Sequence, residues 1–159
     1  MMENKPTLVR SQIKNVKFGL NVKVIEPVNL YECEIGDNTF IGPFTEIQKD
    51  VRIGKNCKIQ SHSFICELVE IGNNTFISHG VVFINDKFYR GGPAKGDKKL
   101  WKSTNIGKNV SIGSNATILP VFIADNTVIG AGSVVTKSIT EPGIYAGNPA
   151  KKIKNISIE

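Results

Sequence analysis

The sequence predicts an all-β fold, a parallel β-helix of about six triangular coils, and a fixed spacing of six residues is the main reason. Between residues 35 and 83, Ile or Phe recurs at every sixth position, at Ile35, Ile41, Ile47, Ile53, Ile59, Ile65, Ile71, Ile77 and Phe83. Six matches neither the 3.6-residue period of a helix nor the alternation of an ordinary strand. It is typical of a solenoid in which short parallel strands stack coil on coil.

The same spacing continues on both sides of this run, with a step of five in two places. Upstream it includes Phe18, Val24 and Leu30, and downstream it includes Ile106, Ile112, Ile118, Ile123, Ile129 and Val135. The repeat therefore has 18 units. Three faces of about six residues close a triangular prism, so these units predict about six coils stacked roughly 4.8 Å apart.

A second inward position precedes each aliphatic residue by two. It holds small or β-branched residues that suit a narrow interior, namely Cys33, Thr39, Thr45, Val51, Cys57, Ser63, Val69, Thr75 and Val81. Glycine often follows the aliphatic residue, as at Gly36 and Gly72, and Asn or Asp comes next or one later. These residues tolerate the tight and sometimes left-handed backbone of a corner.

One long interruption divides the repeat. Residues 86–105 (DKFYRGGPAKGDKKLWKSTN) form a predicted inserted loop, polar and basic, which holds the only Trp. Loops of this length inside a compact repeat are uncommon and often functional. We expect a single domain over 1–159, with an N-terminal cap at 1–15 and a C-terminal tail at 136–159 that turns back over the last coil.

Composition narrows the classes of function. No apolar run approaches the length of a membrane-spanning helix, and the first residues lack the apolar core of a signal peptide, so we expect a cytoplasmic protein without a membrane span. The net charge is +6, but the lysines are dispersed and no basic run is interleaved with aromatics, so we expect no nucleic-acid partner. No CxxC motif occurs, and Cys33, Cys57 and Cys66 are interpreted as structural thiols.

The combined pattern resembles the left-handed β-helix (hexapeptide-repeat) acyltransferases over nearly the whole chain. The segments that carry the resemblance are the Ile-Gly-x-Asn repeats, residues 129–135 (IGAGSVV) and residues 147–151 (GNPAK). The left-handed winding is implied by this resemblance alone, because parallel crossovers are otherwise almost always right-handed. The resemblance also implies acetyl-CoA as cosubstrate and a homotrimer with its site in the cleft between subunits.

A narrower resemblance is to the nucleotide-linked 3-amino-sugar N-acetyltransferases, which act on UDP- or dTDP-linked 3-amino hexoses in surface polysaccharide (lipopolysaccharide) biosynthesis. It rests on residues 35–48 (IGDNTFIGPFTEIQ), 61–67 (SHSFICE) and 76–86 (FISHGVVFIND). It implies that Asn85 and His79 are catalytic. The wider resemblance to hexapeptide-repeat acyltransferases implies that the acyl-CoA lies against Gly130, Ala131, Gly132, Ser133, Asn148, Pro149, Lys151 and Lys152, where the glycines leave room and the lysines meet phosphates.

Positions in the repeat predict which polar residues meet. Glu67 and Asn85 are 18 residues apart, one coil, and His62 and His79 fall near the same corner of adjacent coils. His79, Asn85 and the loop that begins at Asp86 lie within one coil, so we expect them to form the site. The expected sugar-nucleotide residues are Glu67, His62, Asp86, Tyr89 and Arg90.

The expected reaction is attack of a sugar amine on a thioester carbonyl. A sugar amine is partly neutral at pH 7, so a protein base is optional, and His79 would serve as proton acceptor with Asn85 orienting the amine. One alternative is an O-acetyltransferase acting on a sugar or serine hydroxyl, which needs a base. Another is a solenoid without catalytic function. A zinc carbonic anhydrase on this fold needs three His ligands, but the chain has two, so we expect no metal.

Overall fold

The structure is a computed structural model that describes residues 7–156, and within them the chain forms 21 short strands. In chain order these are β1 (Ile13–Lys14), β2 (Lys17–Phe18), β3 (Lys23–Val24), β4 (Asn29–Tyr31), β5 (Glu34–Ile35), β6 (Phe40–Ile41), β7 (Glu46–Ile47), β8 (Arg52–Ile53), β9 (Lys58–Ile59), β10 (Phe64–Ile65), β11 (Val69–Ile71), β12 (Phe76–Ile77), β13 (Val82–Phe83), β14 (Thr104–Ile106), β15 (Ser111–Ile112), β16 (Thr117–Ile118), β17 (Phe122–Ile123), β18 (Thr127–Ile129), β19 (Val134–Val135), β20 (Gly143–Ala146) and β21 (Lys151–Lys154). The helical content is one 3₁₀ turn, Lys98–Leu100, within the part of the chain that the structure describes.

The strands form three sheets, which are the faces of a left-handed parallel β-helix, so the predicted fold is confirmed. Face A contains β1, β4, β7, β10, β13, β16 and β19; face B contains β2, β5, β8, β11, β14 and β17; face C contains β3, β6, β9, β12, β15, β18, β20 and β21. Among the strands of residues 7–156, β1 to β20 pair with one another in parallel, and β21 pairs with β20 in antiparallel orientation. None of the helical segments within 7–156 is long and apolar enough to cross a bilayer.

The spacing of six produces the core directly. Ile35 pairs with Ile53, Ile53 with Ile71, and Ile71 with Ile106, so like residues stack from coil to coil. All nine residues of the central run, and all nine small residues two positions before them, are buried. At the first coils the pattern weakens: Phe18 is exposed, and Val24 is only partly covered.

The three edges of the prism lie where the chain passes between faces. The B/C edge comprises residues 19–22, 36–39, 54–57, 72–75, 107–110 and 124–126; the C/A edge comprises residues 25–28, 42–45, 60–63, 78–81, 113–116 and 130–133; and the A/B edge comprises residues 32–33, 48–51, 66–68 and 119–121 with the segment that follows β13. At most of these turns the residue three positions after the inward aliphatic adopts positive φ. On the B/C edge this residue is always Asn, and the side chains of Asn21, Asn38, Asn56, Asn74, Asn109 and Asn126 are hydrogen-bonded in a ladder at 3.0–3.2 Å.

The corner glycines have a different role from the one predicted. Gly36 and Gly72, which follow an inward Ile, are not at positive φ, but a Cβ on Gly72 would lie 2.6 Å from the carbonyl carbon of Gly107 in the next coil. Glycine is needed there because the backbones of adjacent coils approach closely, and the left-handed conformation belongs to the Asn two residues later.

Three boundaries differ from those expected. Face A has seven strands, one more than the predicted six coils, because Ile13–Lys14 within the predicted cap pairs with Leu30 and Tyr31 of β4. Thr104 and Asn105, predicted to end the loop, belong to β14. In the tail, Ile139 and β20 first continue the winding on faces B and C, and β21 then turns back along β20. Residues 1–6 of the cap and 157–159 of the tail lie outside the described residues.

Candidate active site

His79 lies on the C/A edge and is held by a neighbour from the previous coil. Its Nδ1 is 2.9 Å from Ser61 Oγ, and its carbonyl accepts a hydrogen bond from the Asn115 backbone N–H at 2.9 Å. These contacts arise because Ser61 and His79 occupy equivalent positions one coil apart, each two residues after an inward Ile. With Nδ1 engaged by Ser61, Nε2 is the ring nitrogen that remains to face a ligand.

The predicted CoA residues share this edge with His79. Gly130, Ala131, Gly132 and Ser133 form its last corner, and Gly132 N donates to Ser114 O, which belongs to the same edge as His79. Ala131, two residues after the inward Ile129, is equivalent to His79 two coils away, about 10 Å at the usual strand spacing. A Cβ at Gly132 would meet no atom within 4 Å, so this corner is open on its outer side.

The C-terminal turn packs against that corner. Gly147 N donates to Ser133 Oγ at 3.2 Å, and Ala150 N donates to Val134 O at 2.8 Å, which brings Asn148 and Pro149 beside it. Lys151 and Lys152 follow in β21, where both are exposed, and Lys152 Nζ is 3.1 Å from Glu141 Oε2. Two lysines therefore stand at the end of the edge where the phosphates of an acyl-CoA were expected.

His62 lies on the same edge on the other side of His79. It adopts φ 63°, and its ring lies 4.9 Å from the ring of Phe44 in the preceding coil, centroid to centroid. His62 thus contacts an aromatic ring rather than a polar partner. Phe44 was not among the predicted site residues. The sequence feature that could have pointed to it is an aromatic residue at a corner position where Asn is usual.

Asn85 lies on the A/B edge, at the base of the inserted loop. Its Nδ2 donates to Glu67 O at 3.2 Å, and its own carbonyl accepts from Lys102 N at 2.9 Å, which closes the loop at its stem. Because the amide nitrogen is turned to Glu67, the side-chain oxygen Oδ1 is directed away from it as an acceptor. The predicted contact between Glu67 and Asn85 across adjacent coils is therefore present, through the backbone of Glu67.

The loop is fastened to the coil by an ion pair. Lys98 Nζ lies 2.6 Å from Glu67 Oε2, whose side chain is only 15% exposed, and it also lies 5.2 Å from the centre of the Trp101 ring. Charge-assisted hydrogen bonds of this length are among the stronger polar contacts in proteins. Lys98 was missed in the sequence because it lies in the loop, outside the repeat, 31 residues from its partner.

The remaining predicted loop residues are one half-buried anchor, Asp86, and two exposed residues, Tyr89 and Arg90. Asp86 accepts hydrogen bonds from Phe88 N at 2.9 Å and Ala94 N at 2.7 Å, so its carboxylate organises the loop. Arg90 lies 3.8 Å from Asp97, and Tyr89 is exposed. Tyr89 and Arg90 are therefore accessible on the outer part of the loop.

The structure separates the two predicted catalytic residues. His79 precedes β13 on the C/A edge, and Asn85 follows β13 on the A/B edge, so they stand at opposite edges of face A. The chain from one to the other includes the left-handed corner at Gly80 and strand β13, and it spans at most about 20 Å. His79, Asn85 and the loop thus lie within one coil, but His79 and Asn85 lie on different edges of it.

Several carboxylates, partly paired with lysines, lie along the A/B edge and the adjoining part of face A. Burial, together with the charges of Glu46, Glu67 and Glu32, raises the pKa of Tyr31 on the neighbouring part of face A. Lys49 lies 3.4 Å from Glu32, and Lys98 lies beside Glu67, so cations interleave with the carboxylates along the edge. Within residues 7–156 there is no group of three His, Cys, Asp or Glu side chains able to hold a metal ion.

The thiols are poorly suited to nucleophilic chemistry. All three cysteines are buried and unpaired, and burial raises the pKa of Cys66 to about 12 and that of Cys33 to about 11. A thiol with so high a pKa is almost wholly protonated at neutral pH, and the thiolate is the nucleophilic form.

Comparison with known proteins agrees with the fold. Residues 32–67 match the family described as bacterial transferase hexapeptide (six repeats), and residues 104–137 match the hexapeptide repeat of succinyl-transferase. The chain is 36% identical over 140 residues to the bifunctional protein GlmU of Clostridium novyi (strain NT), covering 82% of this chain. It spans only 30% of the length of that relative.

Two solved structures are similar to this chain in fold. AntD, an N-acyltransferase from Bacillus cereus in complex with dTDP and 3-hydroxybutyryl-CoA, is 26% identical with a TM-score of 0.79, over 90% of this chain and 84% of that one. A maltose O-acetyltransferase from Clostridium difficile 630 is 25% identical with a TM-score of 0.56, over 89% of this chain and 70% of that one. Together with the repeat and the stacked coils, these similarities support a hexapeptide-repeat acyltransferase.

Proposed function

We propose that the protein is an acetyl-CoA-dependent N-acetyltransferase that acetylates the 3-amino group of a dTDP- or UDP-linked amino sugar. The observation that carries this proposal is that His79 and the Gly130–Ser133 corner share one open edge, about two coils apart. An acyl-CoA laid along that edge from Lys151 and Lys152 would bring its thioester toward His79. The similarity to AntD, which was solved with dTDP and an acyl-CoA, supports a nucleotide-linked acceptor.

The transfer requires one bond to form and one to break. The amine nitrogen attacks the thioester carbonyl carbon, the C–N bond forms, and the C–S bond then breaks with the electron pair leaving on the sulfur of CoA. The nitrogen loses one proton, and His79 Nε2 accepts it when Nδ1–H donates to Ser61 Oγ, the contact seen at 2.9 Å. The product is the amide, and the proton finally reaches the CoA thiolate or solvent.

Asn85 supplies the acceptor that aims the amine. Its Oδ1 points away from Glu67 because the amide nitrogen is engaged there, so it can accept a hydrogen bond from an amine N–H. Such a contact fixes the direction of the nitrogen lone pair, and orientation of this kind lowers the barrier of a two-substrate reaction. The loop stem and the ion pair between Lys98 and Glu67 hold this geometry in place.

The separation of His79 from Asn85 supports a homotrimer. A cyclic contact joins two different patches of neighbouring copies, so it can place the C/A edge of one copy against the A/B edge of the next. The outward residues of face A favour contact: Phe64, Val82 and Val134 are apolar and only partly exposed. Face B instead carries Lys17, Glu34, Arg52 and Glu70 in alternating ion pairs, which suits solvent.

A hydroxyl acceptor is the second candidate, favoured by one contact. A hydroxyl is fully protonated at neutral pH, so its acylation needs a positioned base, and the hydrogen bond between Ser61 and His79 supplies one. The maltose O-acetyltransferase of Clostridium difficile is similar to this chain, but with a lower TM-score than AntD. The amine remains the first choice because Asn85 presents an acceptor rather than a second base.

The substitution Asn85→Ala tests the proposal. We expect turnover on a nucleotide-linked 3-amino sugar to fall at least about ten-fold, since one oriented hydrogen bond in the transition state accounts for such a factor. The control is the oligomeric mass and melting temperature, which we expect to stay near those of the wild type. Wild-type turnover in Asn85→Ala would remove Asn85 from the site.

A further inference from the structure

Phe44 is an unusual residue for the backbone it occupies. It adopts φ 60° at the C/A edge, a conformation that costs a bulky side chain more than it costs Asn or Gly. On the B/C edge the equivalent residues are all Asn, and further along the C/A edge they are His62, Gly80, Asn115 and Gly132. Asn and Gly are thus the usual residues at this position, and Phe44 is a bulky exception, as Leu68 (φ 71°) is on the A/B edge.

The ring is also poorly explained by packing. Phe44 is 58% exposed, and its ring contact is His62, at 4.9 Å between centroids and 31° between planes. His62 supports one side of the Phe44 ring and is itself at positive φ. Two adjacent coils thus hold a pair of stacked rings facing outward, although neither ring belongs to the core.

A small cleft opens beside this pair. It has a volume of about 250 Å³ and is lined by Ser11, Pro27, Val28, Asn29, Phe44 and Glu46 among others. Asn29 and Glu46 are register partners on adjacent strands of face A. The cleft therefore combines an aromatic wall and apolar floor with an amide and a carboxylate on one side.

The cleft lies where the nucleotide half of the proposed acceptor would lie if its sugar were at His79. Phe44, His62 and His79 follow one another along the C/A edge in successive coils, so Phe44 lies about 10 Å from His79. The Gly130–Ser133 corner lies about as far on the other side. Two ligands laid along the edge would meet at His79 from opposite ends, one from the CoA corner and one from Phe44.

We infer that Phe44, supported by His62, is the stacking platform for the pyrimidine base of the nucleotide-linked substrate, with Asn29 and Glu46 at the edge of the base. This inference rests on the proposed function, because it places the nucleotide of the acceptor. Stacking on an aromatic face tolerates any base, so the preference comes from the edge. Thymine and uracil present an N–H between two carbonyl oxygens, which a carboxylate acceptor and an amide donor can satisfy.

The test is isothermal titration of the full chain with dTDP, UDP, CDP and ADP, for the wild type and Phe44→Asn. Asn is the residue that this backbone favours, so Phe44→Asn removes the ring and relieves strain at once. We expect its melting temperature to equal or exceed that of the wild type and its Kd for dTDP and UDP to rise about ten-fold, a loss of about 1.4 kcal/mol. Phe44→Tyr keeps the ring and should bind within about two-fold of the wild type, a difference of less than 0.5 kcal/mol.

Phe122→Asn is the matched control, since Phe122 is also exposed but lies on face B, and it should bind dTDP like the wild type. Wild-type affinity in Phe44→Asn would overturn the inference and leave the proposed function standing. The inference would also fail if weaker binding came with a changed oligomeric mass, or if ADP bound as tightly as dTDP. A wild type that binds acetyl-CoA but neither dTDP nor UDP would overturn the nucleotide-sugar function itself.

Discussion

His79, Asn85 and Phe44 occupy edges of the prism, where the backbone turns and a residue can face outward without disturbing the core. The same edge position holds a structural Asn on the B/C edge and Phe44 or His62 on the C/A edge. At these corners the chemistry of the side chain is thus independent of the repeat. Phe44 and His62 depart there from the usual Asn and Gly, as Asp50 and Leu68 do on the A/B edge, so the residue type alone does not identify a site.

Replacing His79 distinguishes between the two kinds of acceptor at the scale of one residue. For an amine acceptor, we expect His79→Ala to lower turnover about ten- to a hundred-fold and to leave measurable activity, because part of the amine is already neutral at pH 7. For a hydroxyl acceptor, the loss would approach the detection limit. Ser61→Ala is the companion variant: it should shift the pH profile of kcat/KM while preserving more activity than His79→Ala.

The inward residues could be predicted one by one, but the contacts of the site could not. A spacing of six fixes which side chains point inward, so the burial of Ile35 to Phe83 followed from the sequence. The pairing of Glu67 with Lys98 depends on the path of the loop, which has no period. The separation of His79 from Asn85 depends on the edge on which each residue lies. The prediction grouped the two residues because they lie in the same coil.

The coil depends on close approach of backbones at its corners, and two glycines test this at the scale of the element. Gly72→Ala would place a Cβ 2.6 Å from backbone atoms of Gly107, whereas a Cβ on Gly92 in the loop meets nothing within 4 Å. We expect Gly72→Ala to cost about 1–3 kcal/mol, the usual cost of overpacking. Gly92→Ala should be neutral or slightly stabilising, because it restricts the unfolded chain.

Thermal unfolding followed by circular dichroism would check this pair. Equal melting temperatures for Gly72→Ala and the wild type would contradict the close approach of coils. Glycine at these corners was expected to serve a left-handed backbone. At Gly72 it instead provides space, because the left-handed residue there is Asn74. A pattern of residue types does not distinguish a need for positive φ from a need for space.

At the scale of the whole molecule, the split site predicts complementation between inactive subunits. If His79 of one copy acts with Asn85 of the next, a mixed trimer of His79→Ala and Asn85→Ala chains contains sites with both residues intact. In a random equal mixture about one quarter of the sites would be intact, following from closed cyclic symmetry. A trimer that holds both kinds of chain has one intact site in three, so turnover of co-expressed, doubly tagged trimers should recover to roughly one third of wild type.

The same experiment has a direct negative outcome. Mixed trimers no more active than the two parent variants would show that His79 and Asn85 do not act across a subunit contact. The mass of the assembly in solution provides the control, because a monomeric wild type with full activity would also exclude a shared site. The repeat predicts the fold of a single chain, so it predicts neither an oligomer nor a site shared between subunits.

The most direct test of the central claim is CoA release from acetyl-CoA with a panel of acceptors, measured through the free thiol. The panel should include dTDP- and UDP-linked 3-amino sugars, their 4-amino isomers, the matching 3-hydroxy sugars and maltose. We predict that CoA release is fastest with a 3-amino sugar nucleotide and that the mass of the sugar nucleotide increases by one acetyl group in place of one hydrogen. Release that is fastest with a hydroxyl acceptor, or no release above hydrolysis with any amine, would contradict it.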